Sequence, residues 1–201
     1  MNYKPFEIVG AERSGPWVIA CDHASNLIPP FVNNGSLDLP AGDMGRHIAY
    51  DVGAKGVSLA LGALLDAPVI CSNFSRLVID PNRGPDDASL YPGQNTTGLC
   101  PLTDFEGFPI YHDGQEPDAE EVEQRRKAYH APYHDALSTE LARVKAKHGI
   151  ALLYDCHSIR SVIPYLFDDT LPDLNIGTNS STSCGQFVER AVETRCRAAQ
   201  D

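Results

Sequence analysis

Apolar runs of three to five residues recur along this chain, and polar segments follow them. Residues 17–21 and 150–154 are two such runs, residues 69–71 begin a third, and residues 77–79 form a fourth. Short apolar runs bounded by glycine, proline and polar residues predict buried β-strands. Proline cannot donate to a sheet, so Pro81 predicts that the fourth strand ends close to residue 80.

Longer segments with helical spacing separate these predicted strands. Residues 44–65 predict one helix, although three glycines weaken the pattern. Residues 118–148 predict a long helix, with Asp118 as its N-cap and Gly149 just beyond its end. Pro132 interrupts this segment and predicts a kink or a division into two helices.

The remaining segments carry weaker patterns. Residues 84–117 are rich in Gly, Pro, Asp, Asn and Thr and predict a long loop, whose aromatic residues favour a packed lid over disorder. Residues 174–179 predict one more short strand. A last helix is predicted to begin after a cap at Thr182 or Ser183.

Alternation of strands and helices predicts an α/β fold, a mainly parallel sheet with helices on both faces. Ligands bind at the carboxyl ends of the strands in such folds. Polar clusters at residues 22–26, 80–83 and 155–158 each follow a predicted strand. We therefore expect the three clusters to converge at one edge of the sheet.

Composition limits the kinds of function. The 201 residues predict one domain, and the 42% hydrophobic and 21% charged fractions are typical of a globular protein. The net charge of -11 and the absence of a basic stripe argue against nucleic acid, and no apolar run suits a membrane span. The amino-terminal residues lack the pattern of a signal peptide, which predicts a cytoplasmic location.

The polar clusters carry side chains suited to a metal or catalytic site. His23 and His157 each follow a nearby aspartate, Asp22 and Asp155 respectively, and imidazole is a common metal ligand that a carboxylate can orient. Arginine presents a planar fork of donors that suits a carboxylate. At residues 80–83, a loop salt bridge between the aspartate and Arg83 is an open alternative.

Four motifs together resemble the N-formylglutamate amidohydrolase family over nearly the whole chain. They are DHASN at residues 22–26, NFSRLVIDPNR at residues 73–83, PYH at residues 132–134 and DCHS at residues 155–158. The family is similar in fold to zinc carboxypeptidases and aspartoacylases. The resemblance therefore implies a phosphorylase/hydrolase-like fold with three αβα layers and a mixed central sheet.

The resemblance also implies roles for individual residues. His23 and His157 would be metal ligands, and the metal would be a divalent ion, with zinc expected and cobalt as an alternative. Asn26 stands where the related motif H-x-x-E has its glutamate ligand, and an amide oxygen is a weaker ligand for zinc than a carboxylate. The ion then binds loosely, recruits another acid such as Asp22, or is absent.

The substrate side of the site follows from the same resemblance. Asn82 and Arg83 would bind the substrate carboxylate, with Arg76 and Ser158 as further substrate-binding residues. The substrate would be a small N-acyl amino acid.

The general base is the weakest part of the resemblance. Other members continue past the position of Asp201 with further strands and a late glutamate, which no residue here matches. The chain lacks the family's usual C-terminal part, or another group serves as base, or the domain is not catalytic. Asp155 and His134 are the candidate bases, although His134 can also be a helix-surface residue paired with His130.

The resemblance implies metal-dependent hydrolysis of an N-formyl or small N-acyl amide of an acidic amino acid, such as N-formylglutamate, with release of formate. Two alternatives stay open. A deacylase or carboxypeptidase-like enzyme would act on a different N-acyl amino acid, because the arginine recognises a carboxylate and not a formyl group. A non-catalytic domain would bind N-acyl amino acids without turnover.

Overall fold

A computed structural model describes residues 3–37, 43–87, 97–163, 169–179 and 181–199. The chain divides into two compact units, Met1–Ile159 and Arg160–Asp201. The first unit holds the sheet and all three polar clusters. Among its described residues, the second contains one helix, α4, at Gln186–Ala198, which is numbered after the helices of the first unit. The expectation of one family-like domain over residues 1–201 stays a prediction.

Within the described ranges, four strands form one sheet in the order β1-β3-β2-β4. They are β1 (Phe6–Val9), β2 (Trp17–Cys21), β3 (Val69–Ser72) and β4 (Leu152–Asp155). The central strand β2 lies parallel to both β3 and β4, whereas β1 lies antiparallel to β3. The sheet is therefore mixed and mainly parallel, as the sequence predicts.

Helices cover both faces of this sheet. Helix α1 (Ala54–Leu64) packs on one face, and a long helical segment packs on the other. That segment consists of α2 (Ala119–Arg125), a π-helical turn (Arg126–His130) and α3 (Ala131–His148). Successive strand residues point to opposite faces, and the two resulting cores are separate. Toward α1 lie Ile19, Cys21, Val69 and Cys71; toward α3 lie Val18 and Ile70 with Tyr133 and Val144. The α/β prediction with three layers is confirmed.

Helix α1 is shorter than the predicted segment 44–65. Gly53 precedes its first residue with φ +83°, a left-handed conformation that cannot continue a helix. Before it, the backbone N–H of Asp51 donates to the carbonyl oxygen of His23 at 2.9 Å. The residues just before α1 are thereby tied to the carboxyl end of β2 instead of lying in a helix.

Small residues form the face of α1 that contacts the sheet. Leu64 is 81% exposed and Val57 is 55% exposed, although both belong to the predicted apolar pattern. A Cβ on Gly62 would lie 2.2 Å from Cγ2 of Val69, so this glycine permits the close approach of helix and strand. The buried residues of the helix are Ala54, Ser58 and Gly62.

The long helical segment follows the sequence closely. Asp118 caps α2 by accepting the backbone N–H of Glu121 at 2.9 Å, and Gly149 ends α3 with φ +76°. The interruption expected from Pro132 is the π-helical turn just before it. Because proline has no N–H and clashes with the carbonyl four residues earlier, the widened turn removes the conflict.

Residues 77–79 are buried as predicted, but they do not form a strand. The amides of this region bond in different directions: Ser75 N–H to Leu27 and Asp80 N–H to Leu99 in distant segments, and Val78 N–H to Ser75 in a local turn. A strand needs one neighbour along its length, and this segment has several. The apolar run therefore reflects burial in the core around Phe74 rather than an extended backbone.

The loop prediction and the predictions for the carboxyl-terminal residues have different outcomes. Residues 84–87 and 97–117 form a loop with a single β-bridge between Thr103 and Pro109, and residues 88–96 lie outside the described part. Residues 174–179 form no strand, and Gly185, rather than Thr182 or Ser183, precedes the last helix without a side-chain cap. No helix in the described ranges has the length and apolar character needed to cross a membrane.

Candidate metal and substrate site

Two histidines meet at the carboxyl edge of the sheet. His23 follows β2 and His157 follows β4, and their ring centroids lie 5.0 Å apart. The strands are parallel neighbours, so residues just beyond their ends are brought together. His23 is 1% exposed, whereas a third of the His157 side chain is exposed. The histidine pair expected from the sequence is therefore assembled, with one side open to solvent.

Asp51 lies between the two rings. Its Oδ1 is 3.3 Å from Nδ1 of His23, and its Oδ2 is 2.9 Å from Nδ1 of His157. The backbone N–H of Ser158 also donates to this Oδ2 at 3.0 Å. Asp51 is not predicted as a site residue from the sequence, because it stands inside a segment whose pattern predicts one helix. Its only signal is that it is the one acidic residue among residues 44–65.

Two further carboxylates bind the Nε2 atoms of the two histidines, which face away from Asp51. Oδ1 of Asp80 accepts a hydrogen bond from Nε2 of His23 at 2.7 Å, and Oδ2 of Asp155 accepts one from Nε2 of His157 at 2.9 Å. A hydrogen on each Nε2 leaves each Nδ1 directed at Asp51 as a potential ligand atom.

The acidic surroundings favour positive charge at this point. Burial raises the pKa of Asp51, yet the hydrogen bond from His157 and the neighbouring ring of His23 hold this pKa well below its usual range. Burial likewise opposes a charged His157, but its bonds to Asp155 and Asp51 raise its pKa to about 11. Burial, with the nearby Asp155 charge, raises the pKa of Asp22 to about 7. Protons held here can be displaced by a divalent cation.

The residues present fit a metal ion. Nδ1 of His23 is fully buried and has no hydrogen-bond partner within the described part of the chain. Ligand atoms of His23, Asp51 and His157 all lie within 4.8 Å of one another. Asp22, Asp155 and His157 form a second, overlapping group of this kind. Two imidazoles and one carboxylate form a donor set used by catalytic zinc sites, which keep a further position open.

Asn26 lies away from this set of contacts. Its side chain is exposed, and its Nδ2 donates to the carbonyl oxygen of Met44 at 2.7 Å. Its role as a metal ligand stays a prediction.

Asn82 borders the candidate metal site. Its Nδ2 lies 3.4 Å from Nε2 of His157, and its backbone N–H donates to Oδ1 of Asp80 at 2.9 Å. The arginine paired with Asp80 is Arg76, whose Nη2 lies 2.7 Å from Oδ2. Arg76 also lies over the ring of Phe105, 5.8 Å from its centroid.

Arg83 follows directly and is half-buried. Its Nε donates to the carbonyl oxygen of Thr97 at 2.9 Å, and its Nη1 to that of Asn82 at 2.8 Å. The salt bridge to Asp80 that the sequence left open is therefore made by Arg76 instead. The predicted roles of Asn82, Arg83 and Arg76 in substrate binding stay predictions.

Ser158 and His134, the remaining predicted site residues, contact residues that border the two histidines. Ser158 donates its hydroxyl to the carbonyl oxygen of Val52 at 2.8 Å, and its backbone N–H holds Asp51. His134 places its Nε2 2.9 Å from the carbonyl oxygen of Pro81. The structure thus gathers all three polar clusters of the sequence at one edge, with Asp51 added.

Comparison with known proteins agrees with this geometry. A family model for N-formylglutamate amidohydrolase matches residues 15–201. The chain belongs to this family. An N-formylglutamate deformylase of Pseudomonas aeruginosa is 39% identical over 189 residues, which cover 92% of this chain and 67% of that protein. One from Pseudomonas putida is 38% identical with the same coverage. The amidohydrolase resemblance of the sequence is therefore confirmed at the level of the family.

Solved structures support the fold of the family member. A crystal structure of an N-formylglutamate amidohydrolase from Ralstonia eutropha matches 98% of this chain and 75% of that one, with a TM-score of 0.80 and 20% identity. A gene product of Agrobacterium tumefaciens matches 79% of this chain with a TM-score of 0.66 and 29% identity. The present chain spans 58% of the length of that protein and about two thirds of the curated relatives.

Proposed function

We propose that this family member hydrolyses the formyl amide of an N-formylated acidic amino acid, N-formylglutamate being the expected substrate, and that a divalent metal ion is required. The observation that carries the proposal is the cluster of His23, Asp51 and His157 beside Asn82. It combines a buried imidazole nitrogen that makes no hydrogen bond, Nδ1 of His23, with a polar side chain suited to a substrate. The names of the relatives support the choice of substrate.

In this proposal, His23, His157 and Asp51 hold zinc, and Asp51 supplies the carboxylate that is missing at Asn26. Cobalt is an alternative that suits the same donors. Bound there, the ion would polarise the amide carbonyl and lower the pKa of a water molecule. Asp80 and Asp155 keep the rings of His23 and His157, respectively, oriented by accepting a hydrogen bond from Nε2.

Asn82 and Arg83 would hold the substrate carboxylate and so place the scissile amide beside the histidines. A guanidinium has five N–H donors. Arg83 donates two hydrogen bonds to Thr97 and one to the carbonyl oxygen of Asn82. Its remaining donors would pair with the substrate. Arg76, with its Nη2 anchored on Asp80, and Ser158 would complete the polar lining.

Asp155 would serve as the general base. It follows β4, is one-third exposed, and lies beside His157, so its carboxylate can accept a proton from the attacking water. The same proton would then pass to the amino group that leaves. Water and the amide are consumed, and formate and the free amino acid are released.

The test combines metal analysis with an assay for formate. Purified protein is expected to contain about one equivalent of zinc, to release formate from N-formyl-L-glutamate, and to lose this activity after chelation. Addition of zinc or cobalt should restore it. Full activity in metal-free protein would remove the metal from the proposal, and binding of the substrate without turnover under added metal would favour the non-catalytic alternative.

Arg83→Ala should raise KM for N-formyl-L-glutamate by about 100-fold, because a charge-assisted hydrogen bond contributes roughly 1.5–3 kcal/mol. Arg190→Ala, which removes an exposed arginine of α4, is the control and should leave KM unchanged. Formate release at varied substrate concentration measures both. Unchanged KM and kcat in Arg83→Ala would contradict its assignment to the carboxylate.

The carboxylate-binding residues would not distinguish one acyl group from another, so the space beside the metal would select the acyl group. N-acetyl-L-glutamate and N-formyl-L-glutamate share the carboxylates that Arg83 would bind. We expect kcat/KM to favour the formyl compound. A preference for the acetyl compound would instead support a deacylase of a different N-acyl amino acid.

A further inference from the structure

Two histidines of the long helical segment bond to the backbone of the loop that carries Asn82. Nε2 of His134 lies 2.9 Å from the carbonyl oxygen of Pro81, and Nε2 of His130 lies 2.9 Å from that of Arg83. A carbonyl oxygen only accepts, so each Nε2 carries a hydrogen and donates it. The two bonds flank Asn82, one on either side along the chain.

These bonds complete the hydrogen bonding of an irregular loop. The Asp80 carbonyl accepts the Arg83 backbone N–H at 3.1 Å, and the Asn82 carbonyl accepts Nη1 of Arg83 at 2.8 Å. The two remaining carbonyl groups of residues 80–83 belong to Pro81 and Arg83, and each accepts a hydrogen bond from one of the histidines. Because residues 80–83 belong to no strand or helix, side chains supply the support that a sheet would otherwise give.

The helix is built to present both rings to this loop. His130 is the last residue of the π-helical turn, and the His130 and His134 ring centroids lie 4.3 Å apart. Such turns often occur at functional sites. His130 is only 4% exposed, and burial lowers its pKa, which favours the neutral ring with one donor. A buried ring bonded to the backbone is suited to support rather than to contact with substrate.

We propose that His130 and His134 are positioning residues, which hold Asn82 and Arg83 in the orientation that binds the substrate carboxylate. This inference rests on the proposed function and assigns His134 a role other than that of a base. The donating atom in each case is Nε2. Glutamine can present an amide nitrogen at the same distance along its side chain, whereas the amide nitrogen of asparagine corresponds to Nδ1.

The glutamine and asparagine variants of each histidine form a matched pair. His134→Asn and His130→Asn are expected to raise KM for N-formyl-L-glutamate about tenfold, because each variant loses one hydrogen bond to the loop. The kcat of each should stay within about twofold of that of the unchanged protein. His134→Gln and His130→Gln should restore KM to within about twofold of the unchanged protein. If both His134 variants lower kcat about 100-fold with KM unchanged, His134 is a base and the inference is overturned.

Backbone hydrogen exchange tests the same inference without any substrate. In the asparagine variants, the amides of residues 82–84 should exchange about tenfold faster, while those of β2 and β3 keep their rates. Unchanged exchange of the loop in both asparagine variants would overturn the inference. If the unchanged protein releases no formate, the proposed function fails. The exchange rates, and the dissociation constant for N-formyl-L-glutamate in place of KM, still decide the role of the histidines.

Discussion

Asp51→Asn is expected to lower kcat/KM for N-formyl-L-glutamate by about 1,000-fold, together with loss of bound zinc during purification. The substitution preserves size but removes the charge that lies between the Nδ1 atoms of His23 and His157. A neutral amide is a poorer partner for a divalent ion than a carboxylate. Metal content and formate release, both measured on the same preparation, check the result.

Asn26→Ala is the matched control for this prediction. Asn26 is exposed and donates to the carbonyl oxygen of Met44, whereas Asp51 is buried between the histidines. The control should retain its zinc and most of its activity. Circular dichroism confirms that both variants are folded. Retention of metal by Asp51→Asn, together with loss of metal from Asn26→Ala, would return the third ligand to Asn26.

Asp80→Ala should lower the free energy of unfolding by about 3–5 kcal/mol, because it leaves buried partners without their charge. Asp80 is fully buried and accepts hydrogen bonds from His23, from Arg76 and from the backbone N–H of Asn82. Urea unfolding followed by circular dichroism measures the loss. The variant should also bind zinc more weakly, since the ring of His23 loses its support.

Asp80→Asn separates charge from shape in the same position. Its side-chain oxygen can still accept from His23, so the loss of stability should be smaller than for alanine. Glu123→Ala, which removes an exposed acid paired with Arg126 and Lys127, should leave the urea midpoint unchanged. A midpoint in Asp80→Ala equal to that of the unchanged protein would show that these buried bonds contribute nothing net.

Much of the candidate metal site was predictable because strand ends are local features of the sequence. His23 and His157 follow apolar runs, and parallel neighbouring strands bring their ends together. Asp51 was not predictable in this way. It precedes α1 after a left-handed Gly53, and its place depends on a backbone bond to His23. No periodicity marks a residue that reaches a site through an irregular turn.

The apolar run at residues 77–79 illustrates the opposite error. Burial and strand formation both produce short apolar runs, and the sequence does not separate them. Here the segment packs in the core, while the amides of Ser75 and Asp80 bond to two different segments, at Leu27 and Leu99. The loop at residues 80–83 is consequently held by side chains, among them His130 and His134.

By itself, the sequence determined the family, the α/β class, the cap at Asp118, the interruption near Pro132 and the two histidines. Each of these depends on a motif, a periodicity or a residue with a fixed backbone preference. Only the tertiary structure decided that Asp51 joins the histidines and that Arg76, not Arg83, pairs with Asp80. The sequence offers more than one positively charged partner for these carboxylates. Only the distances in the folded chain show which residues pair.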